Sequence, residues 1–280
     1  EQKNKEIMQK VARKCYLPTN KIMIDLIKEH GSKFKLSYSI SGCALEQLSM
    51  YAPEVLESFQ DLADTGNVEF LSETYYHSLS ALFSREEFEE QIQLHKNLIN
   101  DLFGQKPEVF RNTEAMYSNS IAKMIEDFGY KGIITEGHES ILTWRSPNYL
   151  YTPAGCNKIS TLLRNYKLSD DIGFRFSAKW WEEYPLTADK YATWLSKSEG
   201  DCVNIFIDYE TFGEHQWHDT GIFEFLKYLP TEISKYNHLE FKTPSEVVKS
   251  FKPVGILDVP HIISWADIQR DTSAWLENEM

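Results

Sequence analysis

The apolar residues of this chain follow two spacings in turn, and each spacing predicts a different element. Apolar positions three and four residues apart predict helices, whereas short apolar or alternating runs predict strands. The chain starts in a pattern typical of a helix. Further helices are predicted over 19–30, 44–65, 84–104, 118–128, 187–197, 220–236 and 244–251. Strands are predicted over 34–40, 68–71, 108–111, 132–135, 159–164, 202–207 and 239–242, with an irregular segment over 138–157.

About seven strands that alternate with helices through short polar connections favour a parallel sheet. The fold class is therefore α/β. The pattern alone does not separate a seven-stranded barrel from an eight-stranded barrel or a doubly wound sheet. The chain shows neither an internal repeat nor a low-complexity linker, so residues 1–280 are predicted to form a single domain.

The segment after the predicted strand 202–207 carries the strongest chemical signal. An apolar run predicts a buried strand that ends in Asp208, Glu210, Glu214, His215 and Trp217. In α/β barrels the C-terminal ends of strands carry the reacting groups. A solvated acidic loop is the alternative, but such loops seldom combine three acids with this many aromatic side chains.

A second predicted strand ends in a similar way. The strand over 108–111 is followed by Asn112, Thr113 and Glu114, and a helix then begins after Ser118. Arg111 lies close enough in sequence to keep Glu114 ionised, because an opposite charge lowers the pKa of an acid. An ordinary surface ion pair is the alternative interpretation.

Two carboxyl groups at two strand ends are what cleavage of a glycosidic bond requires. One carboxylic acid protonates the leaving oxygen, and the other carboxylate attacks or stabilises the anomeric carbon. Glu114 and Asp208 are 94 residues apart in sequence (208 − 114), which is no obstacle because barrel sites draw on several strands.

These residues resemble glycoside hydrolase family 57, and in particular its α-amylase-like members. Phe110-Arg-Asn-Thr-Glu114 and Asp208-Tyr-Glu-Thr-Phe-Gly-Glu-His215 are similar to the third and fourth conserved regions of that family. The resemblance implies that Glu114 is the nucleophile and Asp208 the general acid/base of a retaining enzyme. It implies an α-1,4-glucan or malto-oligosaccharide substrate and a (β/α)7 barrel.

The resemblance extends over most of the chain, from about Ser37 onwards. Gly66 to Ser78 is similar to the second region, which implies that Glu73 and His77 line sugar subsites. The closing segments 263–267 and 274–279 are similar to the end of the catalytic domain in amylase-like members. A His-Gln-Pro motif on the family's first strand is absent here, which leaves open whether the chain carries that strand. The missing initiator Met and the abrupt end at Met280 predict a piece of a longer protein.

Several side chains are further candidates for substrate binding. Tryptophan stacks on the apolar faces of sugar rings, and carboxylate, imidazole and guanidinium groups bind sugar hydroxyls. The predicted substrate-binding residues are Glu73, His77, Arg111, Asp171, Glu210, His215, Trp217 and Trp265. His215 and His218 could share a helix face as metal ligands, but no third ligand is evident, so neither a metal nor another cofactor is predicted.

Composition narrows the classes of partner. A formal net charge of −13 argues against nucleic acid and anionic membranes, which call for a basic face. No apolar run is long enough to cross a bilayer. The four cysteines show neither disulfide nor metal spacing, and Cys43 and Cys202 are predicted to be buried free thiols, which favours a reducing, cytoplasmic setting. The sequence does not predict the oligomeric state.

Three alternatives to an α-amylase stay open. A 4-α-glucanotransferase of the same family would use the same carboxylates. A metal-dependent polysaccharide deacetylase would need an Asp and two His on one metal, and His77, His215 and His218 make that conceivable. A non-catalytic glucan-binding remnant is the third alternative, because the first-strand motif is missing.

Overall fold

The computed structural model of the chain describes residues 2–266 and 270–276. Its strands are, in chain order, β1 (Leu36–Tyr38), β2 (Val68–Phe70), β3 (Val109–Arg111), β4 (Gly132–Glu136), β5 (Thr152–Pro153), β6 (Ser160–Arg164) and β7 (Ile256–Leu257). Its helices are α1 (Gln2–Val11), α2 (Leu17–His30), α3 (Gly42–Tyr51), α4 (Pro53–Asp64), α5 (Arg85–Phe103), α6 (Asn119–Asp127), α7 (Glu139–Leu142), α8 (Tyr166–Gly173), α9 (Ala188–Ser196), α10 (Ile222–Ile233), α11 (Pro244–Ser250) and α12 (Ser273–Leu276).

The predicted parallel sheet is present as a row of short strands. Parallel pairing joins β1 to β2, β3 to β4, and β4 to β6. A parallel bridge between Ser72 and Phe110 connects the two groups, and another between Arg164 and Asn204 extends the row. Among the described residues, hydrogen bonds connect the strands into an open row. They do not close that row into a ring of seven strands.

Side chains alternate across the central strands, and both faces are covered. Phe110, Ile133 and Leu163 pack with α5 and α6 in one apolar cluster. On the opposite face of the same strands, Val109 and Ile134 pack with a second apolar cluster. Strands that are buried on both faces become nearly continuous apolar runs, which explains why the pattern predicted them well.

The predicted strand 202–207 is wrong in detail. Its side chains are half-buried and not buried, and its single ladder contact is the Asn204 bridge. Side chains supply the other hydrogen bonds: Arg164 Nε donates to the Phe206 carbonyl at 2.6 Å, and Ser169 Oγ accepts from the Phe206 amide at 3.2 Å. The segment is therefore fixed beside β6 without being a regular strand.

Other predictions also needed correction. The predicted helix 44–65 is two helices, because Pro53 disfavours helical geometry at the residue before it. The predicted strand 239–242 forms no ladder in the described chain; instead Phe241 packs edge-on against Phe34 at 5.0 Å. Helix α8 and the short β5–β7 pair were not predicted. Cys43 and Cys202 are half-buried, whereas Cys15 is buried, and all four thiols are free.

The predicted N-terminal helix is confirmed, and it contains a π-helical turn. Residues Ala12–Tyr16 form this turn between α1 and α2. It packs against the segment that follows Asn204: Cys15 Sγ donates to the Tyr209 carbonyl at 3.2 Å. In α2, Thr19 Oγ1 donates to the Cys15 carbonyl at 2.6 Å and also lies 3.2 Å from the Phe212 carbonyl oxygen. π-Helical turns inside α-helices frequently lie at functional sites.

The contact between this helix and the loop yields a stability prediction. A methyl group at Gly213 (φ 114°) would lie 2.0 Å from the Lys14 carbonyl oxygen, whereas one at Gly66 (φ 74°) would have no atom within 4 Å. We expect Gly66→Ala to cost about 1–2 kcal/mol through backbone strain alone. Gly213→Ala should cost roughly 1–3 kcal/mol more, because the backbone must also move. Urea unfolding followed by circular dichroism measures both, and equal losses would contradict the contact.

Candidate active site

Charged side chains, among them both predicted catalytic carboxyl groups, lie where neighbouring strands end. Glu73 follows β2, Glu114 follows β3, Glu136 and Arg164 are the last residues of β4 and β6, and Asp208 follows the bridged segment. Because these strands are parallel, their carboxyl ends meet at one edge.

The backbone at Glu114 is strained. Glu114 and Ala115 have φ values of 54° and 51°, in the left-handed region that non-glycine residues seldom occupy. The Glu114 carbonyl accepts hydrogen bonds from Ser264 Oγ at 2.9 Å and from the Trp265 amide at 3.1 Å. Such strain costs on the order of 1–3 kcal/mol per residue and persists when surrounding contacts hold it, as here.

Each carboxylate oxygen of Glu114 has its own donor. His77 Nε2 lies 2.8 Å from Oε1, and Trp265 Nε1 donates to Oε2 at 2.8 Å. The hydrogen bond to His77, with that from Trp265 and the charge of Arg111, lowers the pKa of Glu114 to about 2, although partial burial opposes the shift. Glu114 is therefore ionised at neutral pH.

His77 is connected on its other side to a buried acid. Its Nδ1 lies 3.3 Å from Glu73 Oε2, and Ser39 Oγ donates to Glu73 Oε1 at 2.7 Å. Hydrogen bonds to Glu114 and Glu73 raise the pKa of His77 to about 9. Burial raises the pKa of Glu73, but the His77 hydrogen bond and the charge of Arg111 outweigh it, and the net direction is downward.

Arg111 lies at the centre of this group. Its guanidinium is buried, 4.8 Å from the Trp265 ring centroid and 5.4 Å from that of Phe206. Stacking on aromatic faces suits a weakly hydrated planar cation. The sequence predicted a partner for Glu114, and the structure shows a positive charge that also acts on Glu73 and Asp208.

Asp208 has the opposite electrostatic setting. It keeps contact with solvent, yet desolvation by the surrounding protein raises its pKa, and the negative charge of Glu210 raises it further. Glu114 adds to the shift in the same direction, while Arg111 and His215 oppose it. A raised pKa favours the protonated form that a general acid needs.

Asp208 lines a cleft of about 210 Å³. Among the predicted site residues, His215 and Trp265 also line it. Glu210 instead accepts a hydrogen bond from the Tyr16 hydroxyl. Trp217 is 60% exposed, with Lys14 Nζ 5.3 Å from its ring.

The comparison with known proteins decides the family. The sequence matches the profile described as "Glycosyl hydrolase family 57" over residues 1–260. This chain belongs to glycoside hydrolase family 57. The family predicted from the sequence motifs is thereby confirmed.

Individual relatives agree with this assignment. The chain is 56% identical to a Methanocaldococcus jannaschii protein named "Putative alpha-amylase", over 99% of this chain and 59% of that protein's length. The fold of the present chain matches that of 4-alpha-glucanotransferase from Thermococcus litoralis (TM-score 0.75, 20% identity, 92% of this chain and 40% of that one). It also matches a GH57-type branching enzyme from Pyrococcus horikoshii (TM-score 0.75, 17% identity, 97% of this chain and 70% of that one).

In this family 57 chain a buried ionic network underlies the cleft, and sequence analysis did not identify it. Arg164 donates to Glu136 Oε2 at 3.0 Å and to Asp170 Oδ1 at 2.6 Å. Arg270 Nη1 donates to Glu136 Oε2 at 2.8 Å and also donates to the Trp265 carbonyl. A charged residue at the end of an otherwise apolar strand, as at Glu136 and Arg164, was the available signal.

One predicted substrate-binding residue, Asp171, already has a partner of its own. Asp171 is in α8, where Arg175 Nε donates to it at 2.7 Å, and it is not among the cleft-lining residues. Within the part of the chain that the structure describes, no three His, Cys, Asp or Glu side chains are placed to hold a metal ion. Over the same residues no helix is long and apolar enough to span a bilayer. Asp267 and the positions from Glu277 onwards, part of the closing family motif, lie outside the described residues.

The ionic network generates a second stability prediction. Glu136 is fully buried, and burial raises its pKa while Arg164 and Arg270 oppose the rise. Removing one partner of a buried pair typically costs about 3–5 kcal/mol. We expect Arg164→Met to fall in the lower part of that range, since Arg270 still neutralises Glu136. Lys227→Met, which breaks an exposed pair with Glu224, should cost under about 1 kcal/mol. Equal losses in urea unfolding would contradict the role of the network.

Proposed function

We propose that this chain carries the catalytic centre of a retaining glycoside hydrolase of the α-amylase type, acting on α-1,4-glucans. Glu114 is the nucleophile and Asp208 the general acid/base. The observation that carries the proposal is that two carboxyl groups lie at one edge of the row of strands in different surroundings. Glu114 has a hydrogen-bonding partner on each oxygen, whereas Asp208 has the negative charge of Glu210 near it, and the two pKa values shift in opposite directions. A pair of acids whose environments separate their pKa values takes the two roles of acid and base.

The reaction proceeds in two displacements. The ionised Glu114 attacks the anomeric carbon, the bond to the leaving oxygen breaks, and Asp208 gives its proton to that oxygen. Asp208, now a carboxylate, removes a proton from water, which attacks the same carbon and releases Glu114. Retention requires carboxyl groups roughly 5–5.5 Å apart when the substrate is bound.

The cleft supports a sugar substrate by its lining. Apolar side chains of Phe174, Ile207 and Trp265 face the same space as Asp208 and His215. Sugar rings present apolar C–H faces to aromatic planes and hydroxyls to polar groups. His215 and Trp265 are therefore proposed to contact the glucan, and Glu73, Arg111, Glu210 and Trp217 to shape its subsites. Asp171 is proposed only to support these subsites from the side, because its carboxylate already accepts a hydrogen bond from Arg175.

We also infer that the open row of strands is part of a (β/α)7 barrel within one catalytic domain over residues 1–280. The folds of the T. litoralis and P. horikoshii enzymes support this inference. Because the chain spans 59% of the M. jannaschii relative, the active protein is proposed to be longer.

Maltoheptaose turnover by the full-length protein tests the proposal. We expect Glu114→Gln and Asp208→Asn each to lower kcat/KM by about 10²–10⁴-fold or more. Glu89→Gln, an isosteric change of an exposed acid in α5, is the matched control and should leave kcat/KM unchanged.

The products separate the alternatives. Shorter products alone, released as the α-anomer, support a retaining hydrolase, and longer products as well would identify a glucanotransferase. No turnover in the wild type would reject the proposal. Deacetylation lost to a chelator would then indicate the metal enzyme, and sugar binding alone the non-catalytic remnant. Both ring nitrogens of His77 already contact carboxylates, which disfavours His77 as a metal ligand.

The raised pKa of Asp208 yields a prediction on pH dependence. The activity falls at high pH when Asp208 loses its proton, and the negative charge of Glu210 delays that loss. Glu210→Gln removes the charge, so the basic limb of kcat/KM should move to lower pH. Glu214→Gln, on the same loop but paired with Lys10 and Lys14, is the control. A basic limb that stays in place in Glu210→Gln would show that Glu210 does not tune Asp208.

A further inference from the structure

We propose that His77 is a positioning residue, an imidazolium that bridges the buried Glu73 and the nucleophile Glu114. This role differs from the sugar contact that the sequence predicted for His77. The inference rests on the proposed role of Glu114. It concerns how that carboxylate is held, and its bridge is testable without turnover.

The geometry itself calls for an imidazolium. The two ring nitrogens lie 2.8 Å from Glu114 Oε1 and 3.3 Å from Glu73 Oε2. A neutral imidazole has one N–H and could donate to only one of these oxygens, leaving a lone pair directed at the other. Only the protonated ring donates to both. The upward shift of the His77 pKa to about 9 agrees with this arrangement.

The bridge is anchored from behind. Glu73 has a side chain only 2% exposed, and its amide donates to His95 Nδ1 at 3.4 Å. The other ring nitrogen, His95 Nε2, donates to the Ile40 carbonyl at 2.8 Å. Burial lowers the pKa of His95. Neutral His95 thus fixes the backbone of Glu73. Since both nitrogens of His77 are occupied, neither is free for a sugar hydroxyl.

The bridge has a defined part in the reaction. When Glu114 attacks, its carboxylate becomes part of a neutral glycosyl ester, and the proton of His77 stays on the imidazole ring. The imidazolium is then balanced by Glu73 and still donates to the ester. The other charged groups near the pair are Arg111, which lowers the pKa of both Glu114 and His77, and Asp208, whose own pKa the charge of Glu114 raises.

Nuclear magnetic resonance of the histidine rings tests the bridge directly. In the full-length wild type we expect the His77 signal, assigned by its loss in His77→Asn, to keep its proton up to about pH 9. In Glu114→Gln the midpoint should fall by about one pH unit or more, because one anionic partner is lost. His95, whose pKa burial lowers, is the internal reference. A midpoint near 6.5 in the wild type, or one that Glu114→Gln leaves in place, overturns the bridge.

The pH profile of His77→Asn tests its consequence. Asparagine tolerates the left-handed φ of 51° at this position, so the backbone can be kept. The variant loses the hydrogen bond from His77, which is the largest cause of the low Glu114 pKa. The acid limb of kcat/KM should therefore move upward by about one pH unit or more, toward the ordinary glutamate pKa of 4.5. The basic limb, set by Asp208, should stay. His238→Asn, an exposed histidine far along the chain, is the control.

The outcomes remain distinguishable. A raised KM with an unmoved acid limb would show that His77 contacts substrate and does not position Glu114. No turnover by the wild type would reject the proposed function, and the resonance titration would still decide whether the bridge exists.

Discussion

The buried guanidinium of Arg111 is the interaction on which the site depends. Three carboxyl groups, Glu73, Glu114 and Asp208, lie within reach of its positive charge, which lowers the pKa of each. The rings of Phe206 and Trp265 pack against the guanidinium. Arg111 lowers the pKa of all three acids, and the opposite net shifts of Glu114 and Asp208 follow from their other neighbours.

That difference comes from hydrogen bonds and from a second acid. Glu114 receives a donor on each oxygen, from His77 and from Trp265, which favours its charged form. Desolvation and the nearby negative charge of Glu210 raise the pKa of Asp208, which favours its protonated form. The two carboxyl groups therefore have pKa values shifted in opposite directions, the separation that the proposed double displacement uses.

The surrounding structure offsets the cost of this arrangement. The left-handed backbone at Glu114 is held by Ser264 and Trp265, and Trp265 is supported by a buried network of two arginines and two acids. On the other side, the π-helical turn at Ala12–Tyr16 holds the loop that carries Asp208 and Glu210. Each support joins segments that are far apart in sequence, which makes the site a product of the whole fold.

The sequence by itself determined the strands that are buried on both faces, the helix caps at Ser84 and Ser118, and which residues follow each strand. These features are local, because spacing and capping act within a few residues. Only the tertiary structure decided that 203–207 is held by side chains and that His77 joins two acids. Glu73, His77, Glu114 and Trp265 span 192 residues (265 − 73), and contacts over that separation leave no periodic trace in a sequence.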